Sequence, residues 1–343
     1  MRAPAVSGRF YPDTRPELER TVREHLACAA PAPPIAARGA MVPHAGSNSP
    51  VWREVAALGG ELAGLGDQLR DADVAAEHAI VFSWPARWAL NGTGQPSSEI
   101  RMIDQARWMY RPLFEAGITA DFTPPAGRLS RYRTVLVPNL HLVTEHEAAN
   151  LVEFAERGGT VLLAFWSGIV DERDHVYAGP YGGPLRPLIG GDVVDVAPLP
   201  SGQSVELEWE DGRRTVAIRW VDIIDTSDEG TVLARYASGP WAGRPAVLTR
   251  QVGEGRAIYL GTQVDCGSLA ALLGLTATVP ADVERVTRSS PAASYEFLLN
   301  HGTADAKVPV AGGGVDLVTG TSVAAEVVLP PAGIAIIRRP VLT

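Results

Sequence analysis

Three short runs, Ala79-Ile-Val-Phe82, Thr134-Val-Leu-Val-Pro138 and Thr160-Val-Leu-Leu-Ala-Phe165, are almost wholly apolar, and helical stretches separate them. A strand without a polar face must be covered on both sides, and intervening helices supply the crossovers that parallel strands need. The spacing predicts helices over Glu99 to Ala116, stopped by Gly117, and over Thr144 to Arg157, stopped by Gly158-Gly159. Thr144-Glu-His-Glu147 has the form of a capping box, in which the threonine hydroxyl and the glutamate each satisfy the other's backbone donor. Upstream, Val55, Leu58, Leu62 and Leu65 form the apolar stripe of a helix over Val51 to Leu69. An open, doubly wound sheet over about residues 76–275 is the economical expectation.

Beyond Gly190 the period changes. Val205 to Trp209 and Thr215 to Trp220 flank Asp211-Gly212 and read as a hairpin, because Asp-Gly supplies the positive φ of a tight turn. Pro245 to Arg250 and Arg256 to Tyr259, around Gly253-Glu-Gly255, read as a second hairpin rather than a phosphate loop, since no helix follows the glycines. Asp265 to Leu273 is a closing helix. After Pro280 only strand signals remain, over 294–300, 307–310, 315–318, 324–329 and 334–338, which predicts a small antiparallel sandwich or barrel.

Composition narrows the function classes. The net charge of −9 argues against a general nucleic-acid binder, which needs a basic face. No run approaches the ~18 apolar residues of a membrane span. Met1 to Pro12 lacks the apolar run of a signal peptide, so a cytoplasmic protein is expected. Cys28 and Cys266 cannot form a disulfide framework or a cysteine-rich zinc site. Lys307 is the only lysine, in a polar stretch that would not depress its pKa for Schiff-base chemistry.

From Met41 onward a series of segments resembles glycoside hydrolase family 42, the bacterial β-galactosidases. They are Met41-Val-Pro-His-Ala-Gly46, Val51-Trp-Arg-Glu-Val55, Ile80-Val-Phe-Ser-Trp-Pro-Ala-Arg-Trp-Ala89, Ser167-Gly-Ile-Val-Asp171, His175-Val-Tyr177 and Gly179-Pro-Tyr181, then Ala242-Gly-Arg-Pro-Ala246, Gly253 to Thr262 and Phe297-Leu-Leu-Asn-His301. The resemblance implies the α/β trimerisation domain over 47–278 and the C-terminal β domain over 279–343. The expected fold class is therefore α/β, a flavodoxin- or amidotransferase-like sheet followed by a small antiparallel all-β domain, with no TIM barrel. The opening differs. Met1 to Pro12, Glu17 to Ala30 and Val42-Pro-His-Ala-Gly46 resemble the start of Memo-like proteins, relatives of extradiol dioxygenases. Residues 1–46 read as that segment, with an amphipathic helix over Arg15 to Ala30 and a linker at Pro31-Ala-Pro-Pro34.

The family resemblance implies a retaining hydrolase with two carboxylates about 5 Å apart, at the strand ends of a barrel that takes at least ~200 residues. Only residues 1–40 precede the recognisable post-barrel sequence, and no Asn-Glu pair occurs anywhere. No catalytic glutamate is carried over: Glu54, Glu61, Glu99 and Glu147 fall on predicted helices and read as solvated surface. The expected role is a chain that frames a galactoside site without cutting the bond, homo-oligomeric (a trimer by resemblance), with a barrel-bearing subunit possible in trans. No cofactor is expected. The alternatives are a Memo-like metal-binding protein, in which His44 would stand at a ligand position, and a recombined gene product. One histidine does not make a metal site, and His141, His146, His175 and His301 belong to the other family's segments. Ser167 follows a strand where a nucleophile elbow could sit, but Phe165 replaces the first glycine of Gly-x-Ser-x-Gly. Trp84 and Trp88 follow the first strand, at the edge where such sheets bind ligands. They are the substrate-facing candidates, though packing at an interface between domains or subunits is the favoured reading of the pair, because tryptophan is enriched there. Asn91-Gly-Thr93 matches a glycosylation sequon that a cytoplasmic chain would not use.

Overall fold

The computed structural model describes residues 49–341. His44, Cys28, the Memo-like segment and the proline-rich linker lie outside the described residues. The chain divides into two units between Asp73 and Val74. In the first, helix α1 (Pro50–Leu69) starts where Ser49 Oγ accepts a hydrogen bond from Trp52 N at 3.0 Å, with proline in its first turn. Its predicted stripe is present, and Val55, Leu58 and Leu62 are each about half exposed.

In the second unit the three apolar runs become β1 (His78–Val81), β3 (Thr134–Val137) and β4 (Thr160–Ala164). Between β1 and β3 lie α2 (Trp84–Leu90), α3 (Met102–Glu115) and a short strand, β2 (Ala120–Thr123). Helix α4 (Glu145–Glu156) connects β3 to β4, and its capping box forms as predicted: Thr144 Oγ1 accepts from Glu147 N and Glu147 Oε2 from Thr144 N. Helix α3 begins three residues later than its spacing suggests, because Arg101 before it is extended, with φ −118° and ψ 129°. Glu99 therefore lies off the helix, 3.3 Å from Arg219.

Residues 191–264 add β5 (Gly191–Pro198), β6 (Ser204–Trp209), β7 (Arg214–Ile218), β8 (Trp220–Thr226), β9 (Thr231–Tyr236), β10 (Pro245–Val252), β11 (Gly255–Leu260) and β12 (Gln263–Val264). Ten strands form one sheet in the order β12-β7-β6-β9-β10-β11-β4-β3-β1-β2. The five from β11 to β2 are parallel, in register along the row Ile258, Leu162, Leu136, Ile80 and Phe122. The first four of that row are buried, whereas Phe122, on the outermost strand, is 59% exposed. The expectation of a parallel sheet thus holds for one half. The other half is antiparallel, because the β10–β11 hairpin turns the chain back and lets β11 pair with β4.

Two local expectations change. The first hairpin ends at Ile218, since Arg219 takes φ +69° and Trp220 opens β8, which pairs with β5 instead. A strand precedes the predicted C-terminal set: β13 (Val283–Ser289) pairs with β14 (Ala293–Asn300) along its whole length. Its charged residues Glu284, Arg285 and Arg288 masked it as a polar stretch. After helix α5 (Cys266–Leu273), β13 and β14 join β15 (Ala306–Pro309), β16 (Gly314–Asp316), β17 (Ser322–Val323), β18 (Glu326–Leu329) and β19 (Ile334–Pro340) in antiparallel pairs. They enclose a second core of Val283, Leu298, Val308, Leu329 and Ile337. Buried Glu296 is held there between Arg285, at 2.7 Å, and Arg339. Thr278 links this part to α3 by donating to Ala116 O at 2.6 Å.

Candidate functional site

In an open parallel sheet the carboxyl ends of the strands carry backbone turns that can face a ligand, most of all where the strand order reverses. Here the order reverses between β1 and β3, and that edge holds the densest group of sequence-predicted site residues. Phe82 N donates to Thr123 O at 2.9 Å as β1 ends, and Ser83 Oγ caps α2 by accepting from Ala86 N at 3.2 Å. Pro85 fits that first turn because its missing N–H is not needed there. The helix buries Ala86 and Leu90 and leaves Trp84 53% and Trp88 65% exposed. Their ring centroids are 6.3 Å apart. Phe82 meets Trp84 edge-on at 5.1 Å and Phe122 at 6.5 Å, so four aromatics run in a strip along the free edge of the sheet. Arg87 lies 5.0 Å from the Trp84 ring centre and covers one of its faces. Beside the strip, a shallow groove of about 200 Å³ is lined by Phe82, Ile103, Ala106, Arg107, Tyr110 and Phe122.

The next two strand ends are conformationally unusual. Asn139 after β3 and Trp166 after β4 both take positive φ, +40° and +55°, where a side chain costs energy. Asn139 Nδ2 donates to Phe165 O at 2.8 Å and so ties the two turns together. Trp166 packs on Trp220 at 4.8 Å and stacks with His141 at 5.6 Å. Gln95, in the loop after α2, joins this group: Trp166 Nε1 donates to its Oε1, and its Nε2 lies 3.1 Å from both Ala89 O and His141 Nε2. Burial pushes the His141 imidazole down to about 4, so it is neutral at ordinary pH. Nothing in the sequence pattern marked Gln95.

The remaining candidates do not converge. Ser167 is buried, donates to Ala164 O at 2.8 Å and accepts from Leu140 N at 2.9 Å, so its hydroxyl is occupied by the elbow, and among the described residues no base bonds to it. His146 lies on α4, His175 pairs with Asp171 at 3.6 Å and His301 with Glu284 at 2.8 Å. Among the described residues no group of three His, Cys, Asp or Glu side chains could hold a metal. Lys307 is exposed on β15, and Cys266 lies beside Glu115, which together with burial raises its thiol to about 11. Glu54 and Glu61 sit on α1, and Glu147 is consumed by the capping box.

The one carboxyl among the described residues that is pushed upward is Asp222, to about 7, and burial is the cause. It is 1% exposed and accepts from Tyr259 Oη at 2.5 Å and Trp220 Nε1 at 2.7 Å. Both of its partners are core side chains, so its carboxyl belongs to the packed interior of the sheet. At the opposite, amino end of the sheet, an open cleft of about 630 Å³ is lined by Arg128, Arg131, Arg133 and Arg157. Two of these pair with Asp121 and Glu153.

Comparison with known proteins fits this geometry. The family described as the β-galactosidase trimerisation domain matches residues 76–283, and the β-galactosidase C-terminal domain matches residues 282–339. The β-galactosidase BgaB of Geobacillus sp. is 36% identical over 274 residues, covering 77% of this chain and 40% of its own length. A β-galactosidase of Arthrobacter sp. is 37% identical over 283 residues, covering 80% of this chain and 40% of its own. The crystal structure of a β-galactosidase from Bacillus circulans sp. alkalophilus superposes with a TM-score of 0.80 at 29% identity, over 88% of this chain and 47% of that one. The chain spans about two fifths of the length of the curated relatives it matches.

Proposed function

The chain belongs to the β-galactosidase trimerisation-domain family, and from that premise we propose that it serves to assemble subunits and frame a galactoside site rather than to break the glycosidic bond. The single observation that carries the proposal is the family match across residues 76–339, which takes in the trimerisation and C-terminal domains and spans about two fifths of the curated relatives' length. A retaining hydrolase needs a proton-holding acid and a nucleophile facing one another across the substrate. The parallel strands, in the order second, first, third, fourth, fifth, support a flavodoxin- or amidotransferase-like reading of 47–278, with 279–343 as the β domain.

Within that role the strip of Phe82, Trp84, Trp88 and Phe122 is the contact surface. Contiguous exposed aromatic area of this kind marks interaction sites. A second copy of the chain covers the strip in a homo-oligomer, a trimer by family resemblance, and the open face of Trp88 stacks on a sugar ring at the rim. A barrel-bearing chain in trans would supply the acid pair. A cytoplasmic location accompanies this reading, and no described helix is long and apolar enough to cross a membrane. The Memo-like metal-binding reading rests on Met1 to Pro12, Glu17 to Ala30 and Val42 to Gly46, which lie outside the described residues, and the family matches give it no support.

The test is a chromogenic β-galactoside offered to the purified chain, together with a galactose titration followed by tryptophan fluorescence. No turnover is expected, and Trp88→Ala should weaken galactose binding at least fivefold. Turnover that disappears on mutating a glutamate of this chain would falsify the framing role.

A further inference from the structure

Gln95, His141 and Trp166 fix one another's chemistry. An indole N–H can only donate, so the Gln95 atom that Trp166 Nε1 reaches at 3.1 Å is the carbonyl oxygen. The other end of the amide is therefore NH₂, which agrees with its second neighbour, the Ala89 carbonyl at 3.1 Å. The same nitrogen lies 3.1 Å from His141 Nε2. Because an amide NH₂ only donates, Nε2 must accept, and the ring proton must sit on Nδ1. That nitrogen is enclosed and meets no hydrogen-bond partner among the described residues. The proton is thus placed by Gln95 and not by anything Nδ1 itself touches. His141 also stacks on Trp166, with the planes 29° apart, which closes the group on itself.

The amide spans three separate elements. Ala89 is in the last turn of α2, one residue after Trp88; His141 follows β3; Trp166 follows β4 in a left-handed turn. We infer that Gln95 is a positioning residue: it sets the His141 tautomer, holds the Trp166 turn, and through the Ala89 carbonyl anchors α2 so that Trp84 and Trp88 keep their places on the sheet edge. The consequence for binding rests on the reading of that pair as a contact surface. The consequence for the imidazole does not.

Nitrogen-15 NMR of the full chain, with labelled histidine and tryptophan, reads both. In the unmodified protein His141 should show the Nδ1-protonated pattern, constant between about pH 5 and 8, the range in which an ordinary imidazole titrates. This first measurement needs no variant to fold. Gln95→Glu keeps the size and still accepts from Trp166, but it offers no N–H; the His141 proton should then move to Nε2. The indole signals of Trp84 and Trp88 should shift or broaden in the same variant, while Trp209, on a strand four places from β4, stays unchanged. An Nε2-protonated His141 in the unmodified chain, or an unaltered tautomer in Gln95→Glu, would overturn the inference. So would a tautomer change that leaves the Trp84 and Trp88 signals still. If the unmodified chain binds neither galactose nor a second copy, the contact-surface reading fails separately, with the NMR result intact.

Discussion

Asp222 shows how a single buried group couples the core to pH. In the folded protein it keeps its proton up to about pH 7, whereas in the unfolded chain it loses it near the ordinary carboxylate value of about 4. Folding therefore takes up a proton between those values, and stability falls as pH rises across that window. Asp222→Asn retains an acceptor for Trp220 or Tyr259 and removes the charge. Urea melts at a series of pH values should show a flatter dependence between pH 4 and 7 for this variant, and an unchanged slope would contradict the assignment. Asp222→Ala is expected to be worse at every pH, since it strands the Tyr259 and Trp220 donors at about 1–3 kcal/mol each. At the same scale, Ser167 illustrates why a motif position is not a site. Its hydroxyl is shared between Ala164 O and Leu140 N, so its substitution should loosen the elbow rather than remove an activity.

At the scale of elements, the caps carry predictions of their own. Thr144→Ala removes one half of the α4 capping box and should lower stability by about 1 kcal/mol in a urea melt, with Thr144→Ser recovering most of the loss. In α1, a Cβ added at Gly60 or Gly64 would meet nothing within 4 Å. Gly60→Ala should slow amide exchange across that helix, because alanine is favoured over glycine there by up to about 1 kcal/mol. Faster exchange would mean that this face is closely covered. These elements were readable in the residues for physical reasons. Apolar runs such as Thr160 to Phe165 admit only a doubly covered strand, and the Thr144 box fixes a helix start by itself. What escaped reading had weaker local signals. Seven-residue α2 contains Pro85 and two tryptophans, and is set by the Ser83 cap and by burial of Ala86 and Leu90. Strand β13 carries three charged residues in seven and becomes a strand only by pairing with β14. Gln95 lies in a loop of turn formers, and its role exists only once β3 and β4 bring His141 and Trp166 to it.

For the whole molecule, the ten-stranded sheet ends on one side at the four-residue strand β2, and the aromatic strip reaches it through Phe122. An edge strand carrying exposed Phe122 beside Trp84 and Trp88 is a pairing hazard in an isolated protomer and an asset in an assembled one. The net charge of −9 opposes association at low ionic strength, so assembly through an apolar strip should strengthen or hold as salt rises. Sedimentation equilibrium of the purified chain decides whether the strip joins copies of it. A mass about three times the protomer's 36.4 kDa is expected, falling toward a single protomer when Trp84 and Trp88 are both replaced by serine. A species that stays at one protomer's mass at every concentration, with or without the tryptophans, would contradict it.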